Sequence, residues 1–237
     1  MGNQSYYRRP SLGRKTLAAF LAAGIASSVV YSVAGSASMV VDDDRRGRVS
    51  EDRDVTGFTK IQVKGAIDLE LTAGKEFGVN IRTRANRIED VITEMDGDTL
   101  IIDMDDGNRR SFWNNTNVEV TITMPELREL EVLGAVDGEL HDIESDDLSI
   151  DIRGAAEVDI EGTCGSLTLD VRGAGDIDAD DLKCENVEVD VKGAGSATVY
   201  ASQSIDANVA GVASISVYGD PKNVRKHSGG LSSISIK

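Results

Sequence analysis

Gly134-Ala-Val-Asp-Gly-Glu-Leu140, Gly154-Ala-Ala-Glu-Val-Asp-Ile160, Gly173-Ala-Gly-Asp-Ile-Asp-Ala179 and Gly193-Ala-Gly-Ser-Ala-Thr-Val199 are four copies of one pattern. Gly211-Val-Ala-Ser-Ile-Ser-Val217 and Gly230-Leu-Ser-Ser-Ile-Ser-Ile236 continue it. Their glycines stand 20, 19, 20, 18 and 19 residues apart. A fixed period near twenty marks one coil of a solenoid, in which each unit buries its apolar face only against its neighbours. Gly is common, Pro rare and aromatic residues make up only 4% of the chain. That mixture suits short strands and tight turns rather than packed helices. The expected class is all-β.

Each coil is expected to hold two short strands. Leu148-Ser-Ile-Asp-Ile-Arg-Gly154 aligns with Leu167-Thr-Leu-Asp-Val-Arg-Gly173, Val187-Glu-Val-Asp-Val-Lys-Gly193 and Ile205-Asp-Ala-Asn-Val-Ala-Gly211. Alternate side chains of a strand take opposite faces, so the aliphatic residues point inward and the charged ones outward. Equivalent positions on neighbouring strands stack about 4.8 Å apart and form ladders. Asp151, Asp170, Asp190 and Asn208 make one, beside a basic ladder of Arg153, Arg172 and Lys192. Ion pairing between them is the structural reading of that face.

The second strand carries a different strip. Asp137, Glu157 and Asp176 give way to Ser196, Ser214 and Ser233, while Glu139, Asp159 and Asp178 give way to Thr198, Ser216 and Ser235. No basic ladder accompanies it. These six carboxylates are candidates for a hard cation such as Ca²⁺, which takes several oxygen ligands. The competing reading is a solvated acidic face that keeps strand edges from aggregating. Cys164 and Cys184 occupy one position on successive coils, which places their Cα atoms about 5 Å apart, within reach of a disulfide.

The N-terminal part divides into three. Residues 1–38 read as a signal peptide: Arg8, Arg9, Arg14 and Lys15 precede an uncharged apolar run, Thr16–Val33, and small residues follow at 34–38. Retention of that run as a membrane anchor is the alternative; after cleavage no stable membrane span remains. No cysteine lies near the cleavage region, so a lipoprotein is not expected. Residues 39–56 lack apolar periodicity and read as a flexible, charged linker. From residue 57 the pattern has period two: Ile61 and Val63; Ile67, Leu69 and Leu71; Phe77, Val79 and Ile81; Leu100, Ile102 and Met104; Val118, Val120, Ile122 and Met124. One short helical turn is expected within 86–94. Residues 57–133 are thus an irregular start, and 134–237 the regular coils. Phe112 and Trp113, in the segment 105–117, are either a sugar-stacking pair or a cap on the open end of the core.

Chemistry is harder to find than architecture. The formal net charge is −16, and the first forty residues carry four positive charges and no negative ones, leaving −20 on the remainder. Such a surface repels phosphate backbones, which argues against nucleic acid as a partner. His141 and His227 sit at different places in the repeat, without a nucleophile beside them. No Gly-x-Ser-x-Gly, His-Glu-x-x-His, Walker or dinucleotide motif occurs.

Phe58-Thr-Lys-Ile-Gln-Val-Lys-Gly-Ala-Ile-Asp-Leu69, Gly97-Asp-Thr-Leu-Ile-Ile102 and Val118-Glu-Val-Thr-Ile-Thr-Met-Pro-Glu-Leu127, followed by the Gly-Ala-x-Asp coils, resemble the auto-transporter adhesin head GIN domain family. The resemblance spans residues 58–237. It implies a right-handed parallel β-helix in an exported envelope protein, and it supplies no catalytic residues. No translocator barrel follows the coils, so self-export is not expected. The functional expectation is an exported, non-enzymatic, adhesin-like module, periplasmic or on the cell surface, that binds an envelope or surface ligand without a required cofactor. The alternatives are a polysaccharide-acting enzyme using carboxylates such as Glu157 and Asp176, and a purely structural envelope protein. Oligomeric state is not legible in the sequence.

Overall fold

The computed structural model describes residues 39–40, 47–104 and 118–237. The expected signal peptide and the Phe112–Trp113 segment lie outside the described residues. Among the described residues the regular elements are strands, apart from one 3₁₀ turn at Ile88–Asp90. In chain order they are β1 (Met39–Val40), β2 (Arg48–Arg53), β3 (Lys60–Thr72), β4 (Gly78–Arg84), β5 (Val91–Asp96) and β6 (Thr99–Met104). Then come β7 (Glu119–Thr123), β8 (Glu129–Ile152), β9 (Ala155–Tyr218), β10 (Asn223–Gly230) and β11 (Ser233–Ile236). All belong to one mixed sheet, ordered β1-β2-β4-β7-β3-β8-β9-β10, with β11 also on β9 and the β5–β6 pair on β3.

β8 and β9 run for 24 and 64 residues. A straight strand as long as β9 would reach about 210 Å. Instead the chain bends and returns over itself at every repeat, so that Gly193 lies against the backbone of Gly173, Gly173 against Gly154, and Gly154 against Gly134. Between β3, β8, β9, β10 and β11 the pairing is parallel. Ala135 pairs with Ala155 and Leu148 with Leu167 between β8 and β9, and Ser233 with Ser214 between β11 and β9. β3 matches β8 from Lys60↔Glu129 to Thr72↔His141 without a break. The Gly65–Leu71 motif is therefore a full rung of the stack, although it lies in the half expected to be irregular.

The core follows the alternation. Leu148, Ile150 and Ile152 form one buried run, Ala156, Val158 and Ile160 a second, and Cys164 opens a short third before Leu167 begins the next repeat. Each repeat thus has three inward runs where two strands were expected. The bend between the second and third runs is marked by a register shift after Leu140 and by Asp142 at φ 55°. Asp is one of the few residues that enters this region at modest cost. Full burial of Leu71, Ile81, Leu130 and Leu140 stabilises the fold by about 1.5–3 kcal/mol for each side chain.

Two other expectations change at the N-terminal end. The residues read as a linker include β2, which pairs antiparallel with β4 and buries Val49 and Glu51. Its inward positions are not both apolar, which is why no periodicity was visible; Arg53 lies 2.8 Å from the Glu51 carboxylate and neutralises it. The expected helical turn shrinks to Ile88–Asp90 and leads into β5, antiparallel to β6. Phe58 is fully buried and packs against Phe77 with ring centroids 5.0 Å apart.

Candidate functional site

The second inward run of each repeat turns three side chains outward, and stacking them produces a face three lanes wide. On β3 these are Asp68, Glu70 and Thr72, in register with Asp137, Glu139 and His141 on β8. Asp137 and Glu139 pair in turn with Glu157 and Asp159 on β9. The repeat places Asp176, Asp178 and Asp180 on the following rung, then Ser196, Thr198 and Tyr200, and then Ser214, Ser216 and Tyr218. Ser233 and Ser235 close the series. All six carboxylates singled out in the sequence therefore share this face. The sequence already shows the repeat motif at Gly65-Ala-Ile-Asp-Leu-Glu-Leu71, but its Asp68 and Glu70 were not counted in the strip, and the third lane of His141, Glu161 and Asp180 was missed.

The boundaries of the acidic half are built from specific contacts. At its N-terminal margin Glu119, paired with Asp68 across β7 and β3, is bound by Arg48 and lies 3.6 Å from Arg82. At the other margin the Asp176 carboxylate accepts hydrogen bonds from the Ser196 amide at 3.0 Å and the Ser196 hydroxyl at 2.7 Å. Beyond that line the lanes are hydroxylic, with Ser216 and Ser235 oxygens 3.3 Å apart. The ammonium of Lys183 sits 4.5 Å over the Tyr200 ring, and that of Lys237 5.0 Å over Tyr218. One face thus passes from carboxylate to hydroxyl and cation-covered aromatic.

Within the acidic half, His141 is the one side chain of these lanes able to carry positive charge. Its Nδ1 is 2.9 Å from Glu161 Oε1 and its Nε2 3.5 Å from Glu139 Oε2. The hydrogen bond to Glu161 raises its pKa above the usual histidine value, partial burial opposes this, and the Glu161 and Glu139 charges add to the rise. Asp180 is also raised, first by desolvation and then by Asp178 and Asp181 beside it. His141, Glu161, Asp178 and Asp180 line a shallow cavity of about 260 Å³.

The stack spaces these carboxylates rather than gathering them. Rungs are about 4.8 Å apart and same-face neighbours along a strand nearly 7 Å, whereas Ca²⁺ needs six to eight oxygens at about 2.3–2.6 Å. Among the described residues no three His, Cys, Asp or Glu side chains converge to hold a metal ion.

The first inward run presents the paired ladders. Arg153 donates to Asp151 at 2.7 Å, Lys192 to Asp190 at 2.5 Å, and Arg172 to Asp170. Arg153 also reaches Glu131 at 3.2 Å. The third run carries Cys164 and Cys184, which form a disulfide across neighbouring repeats with Cα atoms 4.5 Å apart. Among the described residues no helix is long and apolar enough to cross a membrane.

Fold and surface define an all-β protein of stacked repeats whose extended faces, one ion-paired and one graded from acid to hydroxyl, are its chemical display. The family model "Putative auto-transporter adhesin, head GIN domain" matches residues 57–221, and the chain belongs to that family. Among solved structures, a "putative adhesin" from Bacteroides fragilis superposes with a TM-score of 0.64 at 25% identity, covering 80% of this chain and 97% of that one. A "putative adhesin" from Parabacteroides merdae, at 14% identity and TM-score 0.50, covers 81% and 97% and shows the same fold. No curated protein matches the chain.

Proposed function

We propose that this protein is an exported, non-enzymatic, adhesin-like binding module of the bacterial cell envelope. Residues 1–38 serve as its signal peptide, and residues 57–237 form the binding domain, with β2 added to its N-terminal edge. The repeats wind as a right-handed parallel β-helix, the hand that crossovers between parallel strands adopt in nearly all cases. The observation that carries the reading is the likeness to the Bacteroides adhesin-type protein, which extends over 97% of that chain. The Cys164–Cys184 disulfide supports export, since such bonds persist in oxidising compartments. The exposed lanes suit attachment better than turnover, because Glu157 and Asp159 are exposed and Asp176 is tied to Ser196.

Protease treatment of intact cells, with the periplasm released and probed separately, tests where the protein acts. Labelled protein applied to envelope preparations and to host-cell surfaces tests binding. Saturable attachment to either surface is expected. Protein that attaches to neither, and whose deletion changes no envelope or attachment phenotype, would overturn the proposal.

A further inference from the structure

A concavity of about 650 Å³ lies away from the acidic face, on the outer side of the first inward run. Two polar lanes border it across the last rungs. One holds Asn186, Ser204 and Asn223; the other holds Glu188, Asp206 and Arg225. Asn223 and Arg225 pair in register with Ser204 and Asp206, and the Ser204 hydroxyl donates to Asn186 Oδ1 at 2.7 Å. Between the lanes the floor is formed by Val187 and Ile205, whose side chains are buried in the core so that backbone is presented there, and on the last rung by Val224, which is 43% exposed.

We propose that this groove is a binding site for an extended polysaccharide, laid across the rungs at right angles to the strands. The proposal rests on the binding-module reading and specifies its ligand. Carboxylate, amide, hydroxyl and guanidinium groups lie side by side here, and sugar hydroxyls, which both donate and accept, are the ligands that use such a mixture fully. Arg225 is 3.9 Å from Asp206, close enough to offset its charge and loose enough to turn to a ligand. The rung spacing of about 4.8 Å is close to the length of one pyranose unit, so successive sugars meet equivalent groups on successive rungs.

Other ligand classes fit less well. A peptide strand docks through a free sheet edge; here that edge is the outer side of β10 at the end of the groove, where Lys226 discourages pairing, and a peptide so docked would run along the strands rather than across the rungs. Apolar molecules meet one exposed aliphatic residue, Val224, at the last rung, and no aromatic side chain among the lining residues. Nucleic acid meets Glu188 and Asp206, and a bare cation meets Arg225.

The test is an array of neutral, N-acetylated and uronate oligosaccharides, with hits such as chitohexaose or cellohexaose titrated by calorimetry. At least one is expected to bind. Asn186→Ala and Asp206→Asn are each expected to weaken it about tenfold, the loss of one hydrogen bond to the ligand, charged in the case of Asp206. Asn223→Ala, on the exposed last rung where the core is not at stake, is expected to weaken it as well. Glu94→Gln, an exposed position of β5 away from the groove, is the control expected to leave affinity unchanged, while Glu157→Gln combined with Asp159→Asn reports whether binding belongs to the acidic face instead. An empty array, groove variants that bind like the parent, or affinity that follows the acidic-face variant would each overturn the proposal. If labelled protein still attaches to surfaces while the array is empty, the groove assignment falls and the binding-module reading survives. If neither occurs, both fall.

Discussion

A methyl group added at Gly193 would stand 1.9 Å from the carbonyl oxygen of Gly173, a contact that only backbone movement can relieve. Gly193→Ala is therefore expected to cost about 3 kcal/mol, the upper range for overpacking, as a fall in the urea midpoint. Gly229→Ala is the matched comparison, because nothing lies within 4 Å of its added methyl; it should leave the midpoint unchanged. Equal effects would show that the glycine column is not held by close approach. His141 gives a prediction of another kind. Its pKa is raised in the folded protein, mainly by Glu161. A raised folded value stabilises the protein below the unfolded pKa, and the gain is lost as pH rises through the folded one. The slope should begin near the ordinary value of 6.5 and extend upward. Asp180 acts in the same sense at lower pH, since its raised pKa also favours the protonated form. Melting temperature should thus fall as pH rises from about 6 to 8, and His141→Gln should flatten that fall. Parallel curves for the two proteins would remove His141 from the account.

At the scale of the element, the disulfide joins residues 20 apart on neighbouring repeats. Closing a loop of that size constrains the unfolded chain by about 3 kcal/mol. A Cys164→Ser, Cys184→Ser double variant should lose about that much stability in denaturant titrations without reductant. Because Cys164 and Cys184 are both buried, the native bond should also resist mild reductant until the protein is unfolded. Strand β10 poses the edge problem instead. Lys226 pairs with Ala207, which is fully buried, so a lysine ends an inward column that elsewhere holds Val189 and Leu169. Charge on such an edge discourages pairing with another chain. Lys226→Val should produce concentration-dependent association, visible as rising mass in light scattering; a variant that stays at the parental mass would show that the edge is protected otherwise. Elements differ in how plainly the sequence announces them, and the reason is physical. The repeats were legible because every inward position from Leu148 to Val217 is aliphatic, small or cysteine and the bend after each first run repeats its glycine. β2 was not, because Glu51 takes an inward place that ion pairing with Arg53 makes tolerable. The disulfide and the six carboxylates followed from register alone. The groove did not, because its lanes are ordinary polar residues that no motif sets apart from the rest of the water-facing surface.

At the scale of the molecule, the two outer faces hold their carboxylates under opposite conditions. On one, each acid of the Asp151, Asp170 and Asp190 ladder has its own cation two residues on. On the other, Asp137 lies directly across from Glu157, and Glu139 from Asp159, with His141 alone to offset them. Like charges facing each other across strands destabilise a sheet by about 0.2–1 kcal/mol for each pair. The net charge of −16 adds a repulsion that favours neither face. Opposite responses to neutralisation follow. Glu157→Gln with Asp159→Asn should raise the unfolding free energy by about 1 kcal/mol, because two facing pairs are relieved at once. Asp170→Asn should lower it by up to about 1 kcal/mol, leaving Arg172 without its nearest partner. Salt separates the mechanisms further. The screening length falls from about 10 Å at 0.1 M to about 3 Å at 1 M, so only concentrated salt screens neighbours one rung apart. Between those concentrations of sodium chloride the parent should gain stability as the acidic face is relieved. The Glu157→Gln, Asp159→Asn variant should gain less, its repulsion being already gone, and the Asp170→Asn variant should gain more, since it has less attraction to lose. Were all three proteins to respond alike, the repulsion would belong to the net charge, and the acidic face would not be the seat of the strain.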